Sequence, residues 1–447
     1  METARNSLKV SNEKALLVHV ALPNASLGPV ESLDELASLA EAAGANVVWR
    51  MYQKRRAPSA PLYVGKGKAE QIAEQSDKVD ADVVIFDNDL SPAQIRELEK
   101  IIKCKVIDRS ELILDIFASR ARTHQARLQV ELAQLEYTFP RLTRMWSHLD
   151  TVVGAAGGVA GAVGGIGTRG PGEKQLEIDR RLVSKRLTAL RRELEHIDLR
   201  KQRQIESRGE HFKVSLVGYT NAGKSTLLKC LTGTDVFIAN QLFATLDTKT
   251  KRWNLDRDIH VLLSDTVGFV RDLPHHLVAS FRATLEETLN ADLLLHVVDV
   301  SHPQAEVQLH AVNRVLKEIG CDEKDILLVF NKVDRPIEHL PSRSVRDTLI
   351  TLYPDALCIS ARTGQGIDTL HQAVLQRVTG QKLHLRITCS YHDGRAAGFV
   401  RAHGEIISED YTESDIILEA WLGQRQLPGL QRLNPRSCDI LCSQVQT

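Results

Sequence analysis

The chain has 447 residues, 43% of them hydrophobic and 26% charged, with 57 Lys and Arg against 57 Asp and Glu. That length has room for about two to four domains, and a net charge of zero excludes a polyanion partner held by overall charge, so such a partner would have to be met by a local basic region. The seven cysteines form no CxxC pair or Cys/His cluster, which argues against a disulfide framework or zinc site and fits the reduced thiols of a cytoplasmic protein.

In chain order, residues 1–111 predict an α/β domain. Short β-rich runs (ALLVHVALP, ANVVWRMY, DVVIFD, CKVID) alternate with helical stretches such as ESLDELASLAEAAG and SPAQIRELEKII. Within it, YVGKGKAEQIAEQ places Gly65, Lys66, Gly67 and Lys68 at a helix start, where an anion could dock or where two lysines could simply be solvated.

Residues 112–210 predict a long antiparallel helical hairpin. Leu128, Leu132, Leu135, Phe139 and Leu142 recur at spacings of four and three, as do Val183, Leu187, Leu190, Leu194 and Ile197. Between the two seams lies the glycine-rich loop 152–172, VVGAAGGVAGAVGGIGTRGPG. Its apolar part is slightly short of the roughly 20 residues that a membrane span needs and too rich in glycine, so no span is expected. From Ala118 to Arg208 there are 17 Lys and Arg against 10 Asp and Glu, an asymmetry that favours a polyanion partner.

Residues 211–380 again alternate strands (FKVSLVGY, IHVLLSDT, DLLLHVVDV, DILLVFNKVD, ALCISA) with helices, predicting a doubly wound, mostly parallel sheet. The strand KVSLVG runs into GYTNAGKST, a phosphate loop of Gly218, Tyr219, Thr220, Asn221, Ala222, Gly223, Lys224, Ser225 and Thr226. Its amides would wrap the β-phosphate. Lys224 would bridge the β- and γ-phosphates, and Ser225 would ligate Mg2+. DTVG follows, with Asp265 for the metal and the Gly268 amide for the γ-phosphate; Thr245 in LFATLD is the candidate switch threonine, for Mg2+ and γ-phosphate alike. NKVD then supplies Asp334, an acceptor for the two N–H donors of a guanine edge, with Asn331 and Lys332 bracing base and loop. Ser360, Ala361 and Arg362 offer a backbone N–H to the guanine oxygen. The ordered set specifies a P-loop GTP/GDP-binding domain. Phe269 stands where a water-orienting glutamine is common, so help for hydrolysis must come from elsewhere. Asn221 resembles the asparagine that in some GTPases ligates K+ in place of an arginine finger. Residues 381–447 read as a small α+β domain.

GYTNAGKSTL, LFATLD, DTVGFVRDLPHHLVASFRATLEETLNADLLLHVVD and GGIGTRGPGEKQLEIDRR together resemble the HflX-type ribosome-associated GTPases of the Obg–HflX superfamily, over roughly residues 15–380. One departure is Lys174, where the family pattern leads one to expect a small polar residue. The resemblance implies a monomeric cytoplasmic GTPase, slow alone and stimulated by ribosomes. It implies binding to the large (50S) subunit and its rRNA, and splitting of stalled or idle 70S ribosomes, notably under heat stress. It also implies that the glycine loop reaches toward the peptidyl-transferase region, where glycine lets backbone approach RNA. Two other functions stay open on the residues alone: a regulatory GTPase with a protein partner, and an RNA-remodelling or assembly factor with ATP at a second site near Lys66 and Lys68.

Overall fold

The computed structural model describes residues 12–23, 27–139, 171–206, 212–234, 242–243, 248–256, 259–271, 287–335, 345–380, 382–390, 394–412 and 414–443. Thr245 and most of the glycine loop lie outside the described residues, as does Leu142.

The first unit is built from β1 (Lys14–Ala21), α1 (Pro29–Ala43), β2 (Asn46–Lys54), α2 (Lys66–Lys78), β3 (Val83–Phe86), α3 (Pro92–Ile102) and β4 (Lys105–Asp108). Its four strands are parallel in the order β2-β1-β3-β4. Helices cover both faces, so alternate residues of β1 enter different cores: Ala15 and Leu17 on one side, Leu16, Val18 and Val20 on the other. Helix α3 carries a local start signal, a capping box between Ser91 and Gln94 with Pro92 in the first turn.

The next helix, α4 (Arg109–Arg120), is capped by Asp108, whose carboxylate accepts from the Glu111 amide at 3.0 Å. Residue 112, expected to open the hairpin, falls in its first turns. Leu112, Ile113, Ile116 and Phe117 are buried against α1 and the first sheet, so this helix closes the N-terminal core. Its near-continuous apolar run fits a helix buried on most sides, and sequence periodicity does not separate that from a hairpin arm. The hairpin begins with α5 (His124–Thr138) and returns with α6 (Pro171–Glu206). Leu128, Leu132, Leu187, Leu190 and Leu194 form the buried seam, flanked by Leu135, Phe139, Val183 and Ile197. Arg186 grips Glu131 through two bonds of 3.0 Å, and Arg191 meets Glu136 at 2.8 Å, so charged pairs border the apolar strip.

The central unit comprises β5 (Lys213–Gly218), α7 (Lys224–Thr232), β6 (Lys249–Asn254), β7 (His260–Asp265), β8 (Leu293–Asp299), α8 (Ala305–Glu318), β9 (Asp325–Asn331), α9 (Val345–Leu352), β10 (Leu357–Cys358) and α10 (Ile367–Thr379). Its sheet runs β10-β9-β8-β5-β7-β6, parallel except for β6 on β7. The fold is the α/β, doubly wound arrangement that the alternation of strands and helices predicts.

The last unit, β11 (Lys382–Ser390), α11 (Arg395–His403), β12 (Glu405–Tyr411), β13 (Asp415–Gly423), α12 (Leu427–Arg432) and β14 (Ser437–Ser443), is a split βαβ repeat with antiparallel order β12-β13-β11-β14. The first and central units share one apolar core, in which the Phe117 and Phe243 rings meet edge to face at 4.7 Å. Among the described residues, no helix is long and apolar enough to cross a membrane.

Candidate functional site

The motif residues of the central unit converge at the carboxyl ends of β5, β7, β9 and β10. Where β5 becomes the loop, Gly218 has φ 150°, and a Cβ there would lie 2.2 Å from the Val297 carbonyl oxygen; only glycine fits so close to β8. Gly223, at φ 100°, precedes α7, whose N-terminus carries no side-chain cap. Thr226 lies in the first turn of α7.

Lys224 is 7% exposed, and burial pushes its ammonium down to about 8 while nearby Asp265 opposes the shift. Its Nζ donates to the carbonyls of Gly218 at 3.0 Å and Tyr219 at 2.9 Å, which bends the loop around the charge. The Ser225 hydroxyl donates to the Asp265 carboxylate at 2.6 Å, and Asp265 is fully buried. A hydroxyl and a carboxylate converging beside a helix N-terminus are a donor set suited to a hard divalent cation.

Asn331 joins three segments. Its Nδ2 donates to the Ala222 carbonyl at 2.9 Å, and its Oδ1 accepts from the Ala361 amide at 3.0 Å. Lys332, at φ 65°, donates to the Asn221 carbonyl at 2.8 Å and pairs with Asp299 at 2.6 Å. Asn221 itself has φ 61° and an exposed side chain. Asp334 is oriented by Ser360, whose hydroxyl donates at 2.7 Å, and by Arg362 at 2.6 Å; these partners hold its carboxyl below the usual range. Within the Ser360-Ala361-Arg362 segment, the Ser360 amide goes to the Gln365 carbonyl and the Ala361 amide to Asn331. Two of the three amides of this segment are thus engaged within the fold.

The switch segment lies directly on the phosphate loop. The Thr220 amide donates to the Phe269 carbonyl at 2.8 Å, and the Phe269 amide to the Gly218 carbonyl at 3.1 Å. A Cβ on Gly268 would meet Thr220 Cα at 2.8 Å and Lys224 Nζ at 3.0 Å. Phe269 is 3% exposed and belongs to the core shared with the first unit, so its ring packs between domains. Residues that no motif singled out also reach this point. Arg271 and the Tyr219 hydroxyl are held by Glu35, Asp87 and Arg109 of the first unit and its closing helix. No sequence signal joins positions so far apart. In the first unit, Gly65 caps α2 and its amide donates to Gln53 at 3.1 Å, with Lys66 exposed beside it.

Residues 30–118 match a family model described as GTP-binding GTPase N-terminal, residues 120–208 one described as GTP-binding GTPase Middle Region, and residues 213–332 one described as 50S ribosome-binding GTPase. The GTPase HflX of Escherichia coli (strain K12) is 44% identical over 387 residues, covering 86% of this chain and 87% of its own. That of Lacrimispora saccharolytica is 41% identical over 421 residues, 93% of this chain and 95% of its own. A solved complex of SsGBP with GDP aligns over 82% of this chain and 98% of its own at 25% identity, with a TM-score of 0.44. With the two HflX relatives covering 86% and 93% of this chain at more than 40% identity, the chain belongs to the HflX family of GTPases and hydrolyses GTP.

Proposed function

We propose that this ribosome-binding GTPase attaches to the large subunit through the hairpin and, in its GTP form, splits stalled or idle ribosomes, a task suited to heat stress. The outward face of α6 carries the reading. Arg181, Lys185, Arg192 and Arg200 are exposed, and at about 3.6 residues per turn they fall on one side of the helix, away from Leu187, Leu190 and Leu194. A basic stripe on a stiff hairpin suits rRNA phosphates.

At the nucleotide site, Lys224 would bridge the β- and γ-phosphates, Asp334 would accept from the guanine edge and the Gly268 amide would contact the γ-phosphate. Ser225 and Asp265 would hold a magnesium ion, with Thr245 completing the set. Bound there, the ion supplies charge neutralisation on the phosphate oxygens. Asn221 would take K+; Asn221→Ala would then abolish a potassium-over-sodium rate gain. ATP docking at Lys66 and Lys68 belongs to the same proposal, tested by labelled ATP binding to the full chain with both lysines changed to alanine.

Sucrose-gradient sedimentation with purified subunits and 70S ribosomes, with a non-hydrolysable GTP analogue, tests the main reading. Co-migration with 50S particles and loss of the 70S peak are expected. Free protein beside intact 70S ribosomes at low salt would overturn it.

A further inference from the structure

The first unit has its own ligand crevice, and another part of this chain fills it. In the order β2-β1-β3-β4, neighbouring connections reverse direction between β1 and β3, and doubly wound sheets bind ligands outside the carboxyl ends of strands at such a point. His19 of β1 and Asp87, which follows β3, stand there, joined through Nδ1 and Oδ2 at 2.8 Å. The groups entering the crevice are guanidinium ions. Arg109 lies 2.6 Å from Asp87 and 2.7 Å from Glu35. Arg271 lies 3.3 Å from Asp87 and 3.5 Å from Glu35, and it donates to the Ser32 hydroxyl at 3.2 Å. Arg109 also donates to the Arg271 carbonyl at 3.2 Å. Arg271, Asp87 and Arg109 are 8%, 7% and 2% exposed, so this is a desolvated cluster of two cations and two anions. Burial alone would raise the Asp87 carboxyl; Arg109 first, then His19 and Arg271, instead bring it down to about 2.

Arg271 comes from the switch segment, three residues after Gly268. Tyr219 of the phosphate loop joins the same cluster: its hydroxyl donates to Glu35 and accepts from the Arg271 amide at 2.9 Å. The cluster therefore fixes the segment whose backbone is bonded to Gly218 and Thr220. A Cβ built on Gly268 would stand 2.8 Å from Thr220 Cα and 3.0 Å from Lys224 Nζ, so the segment sits hard against the loop and its lysine. A γ-phosphate placed between Lys224 and the Gly268 amide, the reading made above and on which this inference rests, requires the segment to lift and to draw Arg271 with it.

We propose that the β1/β3 crevice of the N-terminal unit is a binding site for the guanidinium of Arg271, and that its occupancy holds the switch segment down and biases the protein toward GDP over GTP. Coupling is reciprocal, so triphosphate binding weakens the hold of the first unit on the central one by the same factor. Removing one member of a buried charge cluster leaves its partners uncompensated, which makes the exchange steep rather than gradual.

The test measures affinities of the full-length protein for fluorescent GDP and for a non-hydrolysable fluorescent GTP analogue. Arg271→Met is expected to raise the ratio of GTP-analogue to GDP affinity by at least about fivefold, the lower end of ordinary allosteric coupling. Glu35→Gln should move the ratio the same way, Arg271→Lys should return it toward wild type, and the Glu35→Gln, Arg271→Met double variant should add little to either change alone. Should Arg271→Met fail to fold, the near-isosteric Glu35→Gln carries the measurement. A ratio within twofold of wild type in the folded variants, beside a lowered ratio in Lys224→Ala, overturns the proposal alone. No change in any of them, Lys224→Ala included, overturns the γ-phosphate reading and the proposal with it.

Discussion

Lys224 shows what one residue at this site costs and does. An ammonium at 7% exposure is disfavoured by burial, and its proton is held less tightly in the folded chain than in the unfolded one. Since the folded value is about 8 against an ordinary 10.5, the unfolded state binds more protons between those pH values. Stability contributed through this group therefore rises with pH across that window. Denaturant titrations of the nucleotide-free protein should show wild type gaining on Lys224→Met between pH 8 and pH 10, by on the order of 1–3 kcal/mol. A constant difference would mean the lysine is solvated. Asp334 makes a second prediction at this scale. With Ser360 and Arg362 fixing its carboxylate as an acceptor, Asp334→Asn exchanges acceptor for donor opposite the base. Affinity should shift from GTP toward xanthosine triphosphate, and unchanged GTP binding with no gain for xanthosine triphosphate would refute the base assignment.

Among the elements, the hairpin separates two jobs on one helix. Leu190 is fully buried in the seam, so Leu190→Ala should destabilise the helix pair by about 2–5 kcal/mol, seen as early melting of helical signal. The exposed stripe should behave differently. Changing Arg181, Lys185 and Arg192 together to glutamine should leave melting unchanged, yet lower the slope of log affinity for large subunits against log salt by about one per lost charge. An unaltered salt slope would move the RNA contact elsewhere. The heptad spacings made both seams legible in the sequence, because a helix repeats its own geometry. The boundary at residue 112 was not legible in the same way, because a helix buried on most sides, such as α4, presents no single apolar stripe from which to read a partner.

For the molecule as a whole, nucleotide site and hairpin belong to different units, and the proposed splitting needs both. Shortening residues 152–167 to a tight turn that keeps the seams in register should preserve basal GTP binding, because the loop contributes none of the motif residues. Attachment to large subunits should weaken only in part, while splitting and most ribosome-stimulated hydrolysis should disappear. Dissociation of purified ribosomes by the shortened and intact proteins, compared side by side, decides it. Full splitting by the shortened protein would reduce the loop to a connector.

The sequence by itself determined the fold class, the order of the nucleotide motifs and the strands that end in them. Those features are local: a loop with positive φ at Gly218 and Gly223, a helix starting at Lys224, and strands bounded by turn residues are each specified within a few positions. Only the tertiary structure decided what surrounds the site. Arg271 meets Asp87 across 184 positions, and Tyr219 meets Glu35 across another 184. Phe269 reads in the sequence as a residue that cannot orient water, and the fold gives it a place in the core between two units. The sheet order of the last unit and the burial of α4 were settled in the same way. Such contacts depend on which faces close on each other, and long-range packing sets that after the local elements exist.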